Sequence, residues 1–557
     1  MSPAAPFIRA TSLERLRHEE FDVVVIGGGI TGAGVALDAA SRGLRVALVE
    51  RDDFAAGTSS RSSKLIHGGL RYLQQREFRL VYEALAERQR LRRNAPHLVR
   101  LLPFLIPLFG KEGVVNRSVA KAYNTALWLY DLTGGARIGK LHQRLSVDEA
   151  LEYMPTLPRD RLVAGFLYWD ARSDDARLTL ALARTAAAHG AVVANHTAVV
   201  GLQRDQAGNT HHVEVDDDGQ RFTITTKVVV NAAGVWADKV RALDEGADPH
   251  SIRPAKGVHL TLPWEKVRNE IAAVVPVPGD RRSIFVVPWG DRTYVGTTDT
   301  DYDGPLDDPL CTADDVRYLL DGLNASLVSP VTTSDVLGTW AGLRPLVADA
   351  TSERTADMSR RHRVEASTSG VITVTGGKLT TYRRMAADTV DAVVRRLGHR
   401  PRRSLRSRTA KLSLIGATAE PSIPAGLPAP AESVVRHLVD RYGDEATTLA
   451  AMIADDRDLA QALVPSLPYT RAEALFAVRY EMARDLFDIL DRRTRARLLA
   501  RDATAAAAAD VAELVAPDLG WDEERAAMEV AQYREALDRE REAAQLPETA
   551  LDAALGA

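Results

Sequence analysis

Cysteine is almost absent from this sequence: Cys311 stands alone among 557 residues. That excludes an intramolecular disulfide and any multi-cysteine metal site, and it suits a reducing, cytoplasmic setting. The thiol itself reads as an ordinary packed or surface group, and no metal site is expected. Long apolar runs are missing too. No stretch of ~18 apolar residues exists, so no spanning helix is expected. The nearest approach, LVRLLPFLIPLFG from Leu98 to Gly110, is interrupted by Arg100, Pro103 and Pro107. It reads as a buried strand or loop, with a shallow membrane contact as the lesser alternative. Residues 1–20 are polar and mixed in charge, so no secretory leader is expected. Neither sign of charge dominates: 71 Lys and Arg face 75 Asp and Glu, a net −4 that gives no reason to expect nucleic acid.

What the chain does have is length, too much for one compact core, so two or three domains are expected. It is organised around Phe21–Glu50, FDVVVIGGGITGAGVALDAASRGLRVALVE. The apolar run Val23–Ile26 is short enough to be one buried parallel strand. Gly27, Gly29 and Gly32 then form G-x-G-x-x-G, followed by a helical stretch over 33–42 and a second β-rich run, 45–49, ending on Glu50. Each part has a physical task. Gly27 permits the tight turn, Gly29 lets a pyrophosphate approach the backbone, and Gly32 lets helix and strand pack closely. The helix N-terminus offers unpaired N–H groups to phosphates. Glu50 can accept both hydroxyls of an adenosine ribose, which disfavours a 2′-phosphate. A dinucleotide site is expected, with FAD and NAD both open at this point.

The following stretch, RDDFAAGTSSRSSKLIHGGLRYLQQREFRL, is dense in Gly, Ser, Thr and basic residues and turns helical from about Glu77. Small hydroxyl residues beside a dinucleotide site can cap helices or bond phosphate and flavin atoms. Lys64, His67, Arg71 and Tyr72 gather cationic and titratable groups nearby; a solvated loop leading into a helix is the plainer reading.

With IGGGITGAGVALDAASRGLRVALVE, GTSSRSSKLIHGGLRYL, TWAGLRPL and VTGGKLTTYR on the page, the chain resembles the FAD-dependent, respiratory glycerol-3-phosphate dehydrogenases. The resemblance runs from about Phe21 to Asp388 and more loosely beyond. Ala233, in NAAGVW, departs from the family, where many members have Thr. The resemblance implies FAD as cofactor, with Gly27, Gly29, Gly32, Glu50, Thr58, Ser59, Ser62, Ser63, Lys64, His67, Gly68, Gly69, Ala233, Gly234, Gly377, Lys378, Leu379 and Thr380 around it. It implies oxidation of sn-glycerol 3-phosphate to dihydroxyacetone phosphate, hydride passing to the flavin and electrons to a quinone. Arg71, Tyr72, Arg344, Arg360 and Lys378 match the substrate-binding positions, which suits a phosphate dianion that needs fixed cations. Arg344, His67 and His259 are the candidate catalytic residues, with a structural or flavin-contacting role the alternative for either histidine. A base for the C2 hydroxyl is best supplied by a histidine; His259, in KGVHL, is preferred to His67 because it lies on the substrate-wall sheet.

Further along, DARSDDARLTLALARTAAAHGA (170–191) reads as a polar loop followed by a helix, and residues 192–231 are β-rich with turns near Gly208 and Gly219. RPAKGVHLTL, RSIFVVPWGDRTYVGTTDT and TWAGLRPLV read as strands of a substrate-wall sheet. GVITVTGGKLTTYRRM gives strand, glycine turn and helix, with Gly376, Gly377 and Lys378 at the helix start, where in the resembled family the dipole faces the flavin. The expected fold is α/β: a Rossmann-type FAD domain interleaved with a mixed α+β substrate domain across 21–398, with cofactor segments near 21–75, 190–240 and 370–398. A linker follows over 399–430, with the basic run 400–408 solvated or, alternatively, touching anionic lipid. Residues 431–541 form an all-α domain. Peripheral attachment at the cytoplasmic face of the inner or plasma membrane follows from a lipid-soluble acceptor; a homodimer is left open.

Three other readings have distinct signatures. An amine or amino-acid oxidase of the same fold shares the glycine motifs but wants a carboxylate-binding Arg–Tyr pair rather than a crowd of cations. An NAD-only dehydrogenase has no use for SSKLIHGG or the segment at 376, and is colourless. An interaction protein with FAD as a structural support would hold flavin that no substrate reduces.

Overall fold

The computed structural model describes residues 7–69, 77–110, 125–131, 139–280, 282–347, 362–398, 405–417 and 432–549. The strand Val23–Ile26, buried at every position, is central to a six-stranded sheet. Val46–Val49 and Val192–Ala194 lie to one side of it, Val229–Asn231, Ile372–Gly376 and His362–Ala366 to the other. All pairings are parallel except the last, where His362–Ala366 forms an antiparallel edge. Continuous Val and Ile runs suit strands covered on both faces. The helix Ile30–Ser41 covers one face, packed against Asp175–Ala188 and Tyr382–Arg396 in one apolar cluster. It begins three residues earlier than the sequence suggests, because the Gly29 carbonyl already accepts from Ala33 N–H at 2.9 Å.

A second, ten-stranded sheet is interleaved with the first. Its long strands Ile252–Pro263, Gly338–Val347, Val99–Phe109 and Leu162–Ser173 carry the substrate-wall residues. One expectation is borne out and one corrected here. Val99–Phe109 is an interior strand between Ala272–Pro276 and Leu162–Ser173, so the apolar run around Pro103 is the buried strand expected. Asp170–Ser173 is the end of a strand rather than a loop, and Asp174 then caps Asp175–Ala188 by accepting from Arg177 N–H. A smaller four-stranded sheet holds Glu20–Phe21, Gln220–Thr226, Thr210–Asp217 and Ala198–Arg204.

The described part of the expected linker is also docked rather than solvated. Leu405 O accepts from the buried Arg42 at 2.9 Å, and Ser407 and Thr409 hydroxyls donate to Asp38 at 2.5 and 3.0 Å. Helices from Glu432 to Ala544 then form an apolar cluster around Leu438, Phe476, Leu486, Val511 and Tyr533, while Met482 and Leu498 reach into the clusters of the FAD domain and the substrate sheet. Among the described residues, no helix is long and apolar enough to cross a membrane.

Candidate active site

Three distant stretches of sequence wall one cavity of ≈ 400 Å³: Gly27–Thr31 with Glu50–Asp52 and Ala56–Ser59, then Ala232–Trp236, then Gly376–Leu379. The glycines explain how the backbone comes so near. Gly27 turns out of the strand at φ +109°, and a Cβ on Gly32 would stand 1.8 Å from Gly27 O. Helix and strand therefore meet through bare backbone. A Cβ on Gly28, a position to which the motif gives no task, would come within 2.8 Å of Glu50 Cβ.

Glu50 is held by two backbone donors, Gly28 N–H at 2.5 Å and Asp52 N–H at 2.9 Å. Burial pushes its carboxyl up from the usual range, and these two N–H groups pull the other way. Ser59 Oγ accepts from Ile30 N–H at 2.8 Å, so the hydroxyl caps the helix beside the cavity. Thr58 Oγ donates to Leu343 O, tying the loop to the substrate sheet. Ala233 and Gly234 line the opposite wall, and Gly376 and Gly377 turn at φ +74° and +81° to bring Lys378 and Leu379 to it. A cavity with a glycine cradle, a helix N-terminus and a carboxylate in its wall fits FAD.

Other predicted groups are committed elsewhere. Lys64 is buried with its ammonium on Ser60 O at 3.0 Å and Asp175 at 3.1 Å, and burial lowers its pKa to about 8. Ser62 Oγ donates to the same Asp175 at 2.7 Å. Asp175 is thus a hub that sequence reasoning missed, and so is Asp170, which accepts from Tyr130 OH at 2.6 Å and Gly68 N–H at 3.3 Å. Gly69, at φ +80°, completes that turn. Arg71, Tyr72 and Arg360 lie outside the described residues.

On the substrate sheet, His259 is 2% exposed and stacks on Trp340 at 4.7 Å and 8°. Its Nε2 meets Ser63 Oγ at 2.8 Å, and burial, with Lys64 and Arg344 nearby, holds it well below the ordinary pKa of histidine. His67 is lowered to about 4, again mainly by burial, and its backbone N–H reaches Thr380 Oγ at 3.2 Å. Arg344, opposite Ala255 in the strand pairing, is fixed by Asp299 and Thr297 at 3.1 Å each. Trp340 stood in the TWAGLRPL motif, but only stacking in three dimensions reveals its part.

Comparison with known proteins agrees with this arrangement. Residues 22–383 match the family of FAD dependent oxidoreductases, and 407–526 match the C-terminal domain of alpha-glycerophosphate oxidase. The chain is 43% identical to a glycerol-3-phosphate dehydrogenase of Mycobacterium leprae, covering 97% of this chain and 92% of that one. It is 38% identical to the mitochondrial glycerol-3-phosphate dehydrogenase of Homo sapiens, covering 93% and 73%. The solved glycerol-3-phosphate dehydrogenase of Bacillus halodurans, complexed with FAD, superposes with a TM-score of 0.75 at 31% identity, over 98% of this chain and 97% of that one.

Proposed function

We propose that this chain, which belongs to the family of FAD-dependent glycerol-3-phosphate dehydrogenases, oxidises sn-glycerol 3-phosphate to dihydroxyacetone phosphate and passes the electrons to a quinone. The observation that carries the reading is the placing of a fixed guanidinium, Arg344, and a neutral histidine, His259, on the sheet that adjoins the FAD cavity. FAD supplies the two-electron acceptor when bound. Glu50 holds the ribose end, and Ser59 fixes the helix start that faces the phosphates. Arg344 cannot swing freely because Asp299 and Thr297 hold two of its nitrogens, so it presents its charge in one orientation. Lys378 at the Gly376–Gly377 turn, with Arg71, Tyr72 and Arg360, completes the set for the substrate phosphate.

His259 is the base in this reading. Burial keeps its ring neutral at pH 7, the form that accepts a proton, and Nε2 meets Ser63 Oγ, a hydroxyl through which the proton of the C2 hydroxyl would reach the ring. A His259→Gln enzyme is expected to lose about 100-fold or more in flavin reduction, within the range for general-base catalysis. Unchanged turnover and pH profile would overturn the assignment.

Peripheral membrane contact belongs to the same reading, because a quinone dissolves in lipid. Phe78, Tyr82, Trp128 and Leu129 are large apolar side chains left exposed on the two helical stretches that bury Val81, Leu85, Leu127 and Tyr130. Exposed Trp and Tyr suit the lipid interface.

The deciding experiment is an anaerobic absorbance spectrum of the holoenzyme before and after glycerol 3-phosphate. Bleaching by glycerol 3-phosphate, but not by glycerol or amino acids, is expected. A flavin that stays oxidised would keep the fold and discard the substrate. Reoxidation of the bleached enzyme by a short-chain quinone tests the acceptor.

A further inference from the structure

Two adjacent residues on the helix Phe78–Asn94, Glu87 and Arg88, are both 0% exposed, although neither is near the FAD cavity. Buried charges of this kind persist when they are paired and hydrogen-bonded. Glu87 accepts a forked pair from Arg383, Nε at 2.6 Å and Nη2 at 2.7 Å. Arg383 lies in the helix Tyr382–Arg396, immediately after the Lys378–Thr381 turn. Arg88 points elsewhere: its Nη1 donates to Asp170 at 2.5 Å and to Trp169 O at 2.8 Å. Asp170 in turn accepts from Tyr130 OH, and both Asp170 and the Tyr130 oxygen accept from Gly68 N–H, at 3.3 and 2.9 Å.

Those two arms meet again. Gly68 follows His67, whose N–H donates to Thr380 Oγ at 3.2 Å while that hydroxyl donates back to His67 O at 3.3 Å. The connections close into a ring that runs from His67–Gly68 through Asp170, Arg88 and Glu87 to Arg383 and Thr380, then back to His67. Its own four charges cancel, two acids against two guanidiniums, and the partly exposed Arg90 adds a further contact to Glu87, so no acid in the ring is stranded.

We propose that Glu87 and Arg88 are positioning residues: they set the register between the His67–Gly68 turn and the Lys378–Thr381 turn, and so the spacing of the two segments that face flavin and substrate. A purely structural pair would hold the helix to the core with no consequence for those turns. The ring geometry places the Lys378–Thr381 turn, whose Lys378 and Leu379 line the cavity, at the end of one arm and the His67–Gly68 turn, bonded to it through Thr380, at the end of the other. A rigid support of this kind matters because misplacement near 1 Å can lower a rate by about 100-fold. Asp170 also adds charge beside His67, which raises the histidine against the lowering by burial.

The proposal rests on the function given above, and the test separates the two. Glu87→Gln, Asp170→Asn, the double variant and Tyr130→Phe are prepared as holoenzymes. Flavin content, the rate of anaerobic flavin reduction by glycerol 3-phosphate, and amide exchange in the segment Leu65–Gly69 are then measured. The singles are expected to retain flavin, to reduce it between about 10- and 100-fold more slowly, and to exchange faster at Gly68, even for Glu87→Gln at the far side of the ring. Because a ring cut once is already open, the double variant should be no more than about 2-fold slower than the worse single. Multiplicative losses, or Gly68 exchange unchanged in Glu87→Gln, would overturn the ring. Where a charge variant loses its flavin, Tyr130→Phe, which strands no ion and removes the shorter Gly68 N–H contact, tests the Gly68 arm by the same rate and exchange criteria, and Gly68 exchange in Glu87→Gln tests the far arm. A wild-type flavin that glycerol 3-phosphate does not bleach refutes the function instead, and the exchange data still judge the ring.

Discussion

At His67 burial outweighs the charges around it. Asp170 favours the imidazolium, Lys378 and Arg88 oppose it, and the pKa settles near 4. The unfolded chain, with histidine near 6.5, therefore binds its proton first as the pH falls. Stability from this group is complete above about pH 6.5 and is lost progressively toward pH 4. Between pH 7 and 5 the loss is about 2 kcal/mol, at 1.36 kcal/mol per unit. In a His67→Asn variant the thermal midpoint should fall less steeply over that interval than in the wild type; equal slopes would show that the histidine is not held neutral. Legibility at this scale follows sequence distance. Gly27, Gly29, Gly32 and Glu50 were readable because their partners lie within one βαβ unit. Asp175 was not, since it is paired with Lys64 and Ser62 more than a hundred positions away, and a sequence shows no such pairing. The same pairing takes the side chains of Ser62 and Lys64 off the cavity, although their motif is the most family-specific in the chain.

The packing of one helix on one strand decides whether the cofactor cradle exists. Gly32→Ala puts a methyl 1.8 Å from Gly27 O, a backbone atom that cannot rotate away. The helix Ile30–Ser41 must then lift from Val23–Ile26, and the Ile30 N–H to Ser59 bond is strained with it. Overpacking of this kind costs about 1–3 kcal/mol. The variant should purify with little or no flavin and with a lowered midpoint, checked by the visible spectrum and calorimetry; full flavin occupancy would mean the close approach is not required. At the level of elements, period and turn chemistry located most strands and helices. They failed where tertiary pairing overrode local polarity. Residues 170–173 are polar, yet hydrogen bonds to Val99–Phe109 extend the strand through them. Leu405–Ala417 begins inside a basic run, yet Asp38 and Arg42 draw it onto the FAD domain.

Across the whole molecule, the helical C-terminal part has its own apolar cluster and meets the FAD domain through Met482, which packs in that domain's cluster, and through buried charges. Arg184 makes a forked pair with Glu445 at 2.6 and 2.7 Å, Arg177 reaches Glu481 at 2.7 Å, and Arg493 reaches Asp53 at 2.5 and 2.8 Å. Such pairs are hidden from salt, so the junction should tolerate high ionic strength, unlike a surface contact. It should not tolerate a missing partner. Glu445→Gln leaves the Arg184 guanidinium, 2% exposed, with Glu481 at 3.5 Å as its one carboxylate partner among the described residues. Removing one partner of a buried pair costs about 3–5 kcal/mol. The wild type should therefore unfold by calorimetry in a single endotherm that moves little between low and high salt, because each half stabilises the other through these contacts. Glu445→Gln should lower the first transition and split the trace, with the helical part melting before the FAD domain. Added FAD should then raise only the later transition, since the cavity walls belong to the FAD domain. An unsplit trace at the wild-type temperature would mean that the two parts are joined by something other than these ion pairs, and that Arg184 and Glu445 are tolerated there rather than required.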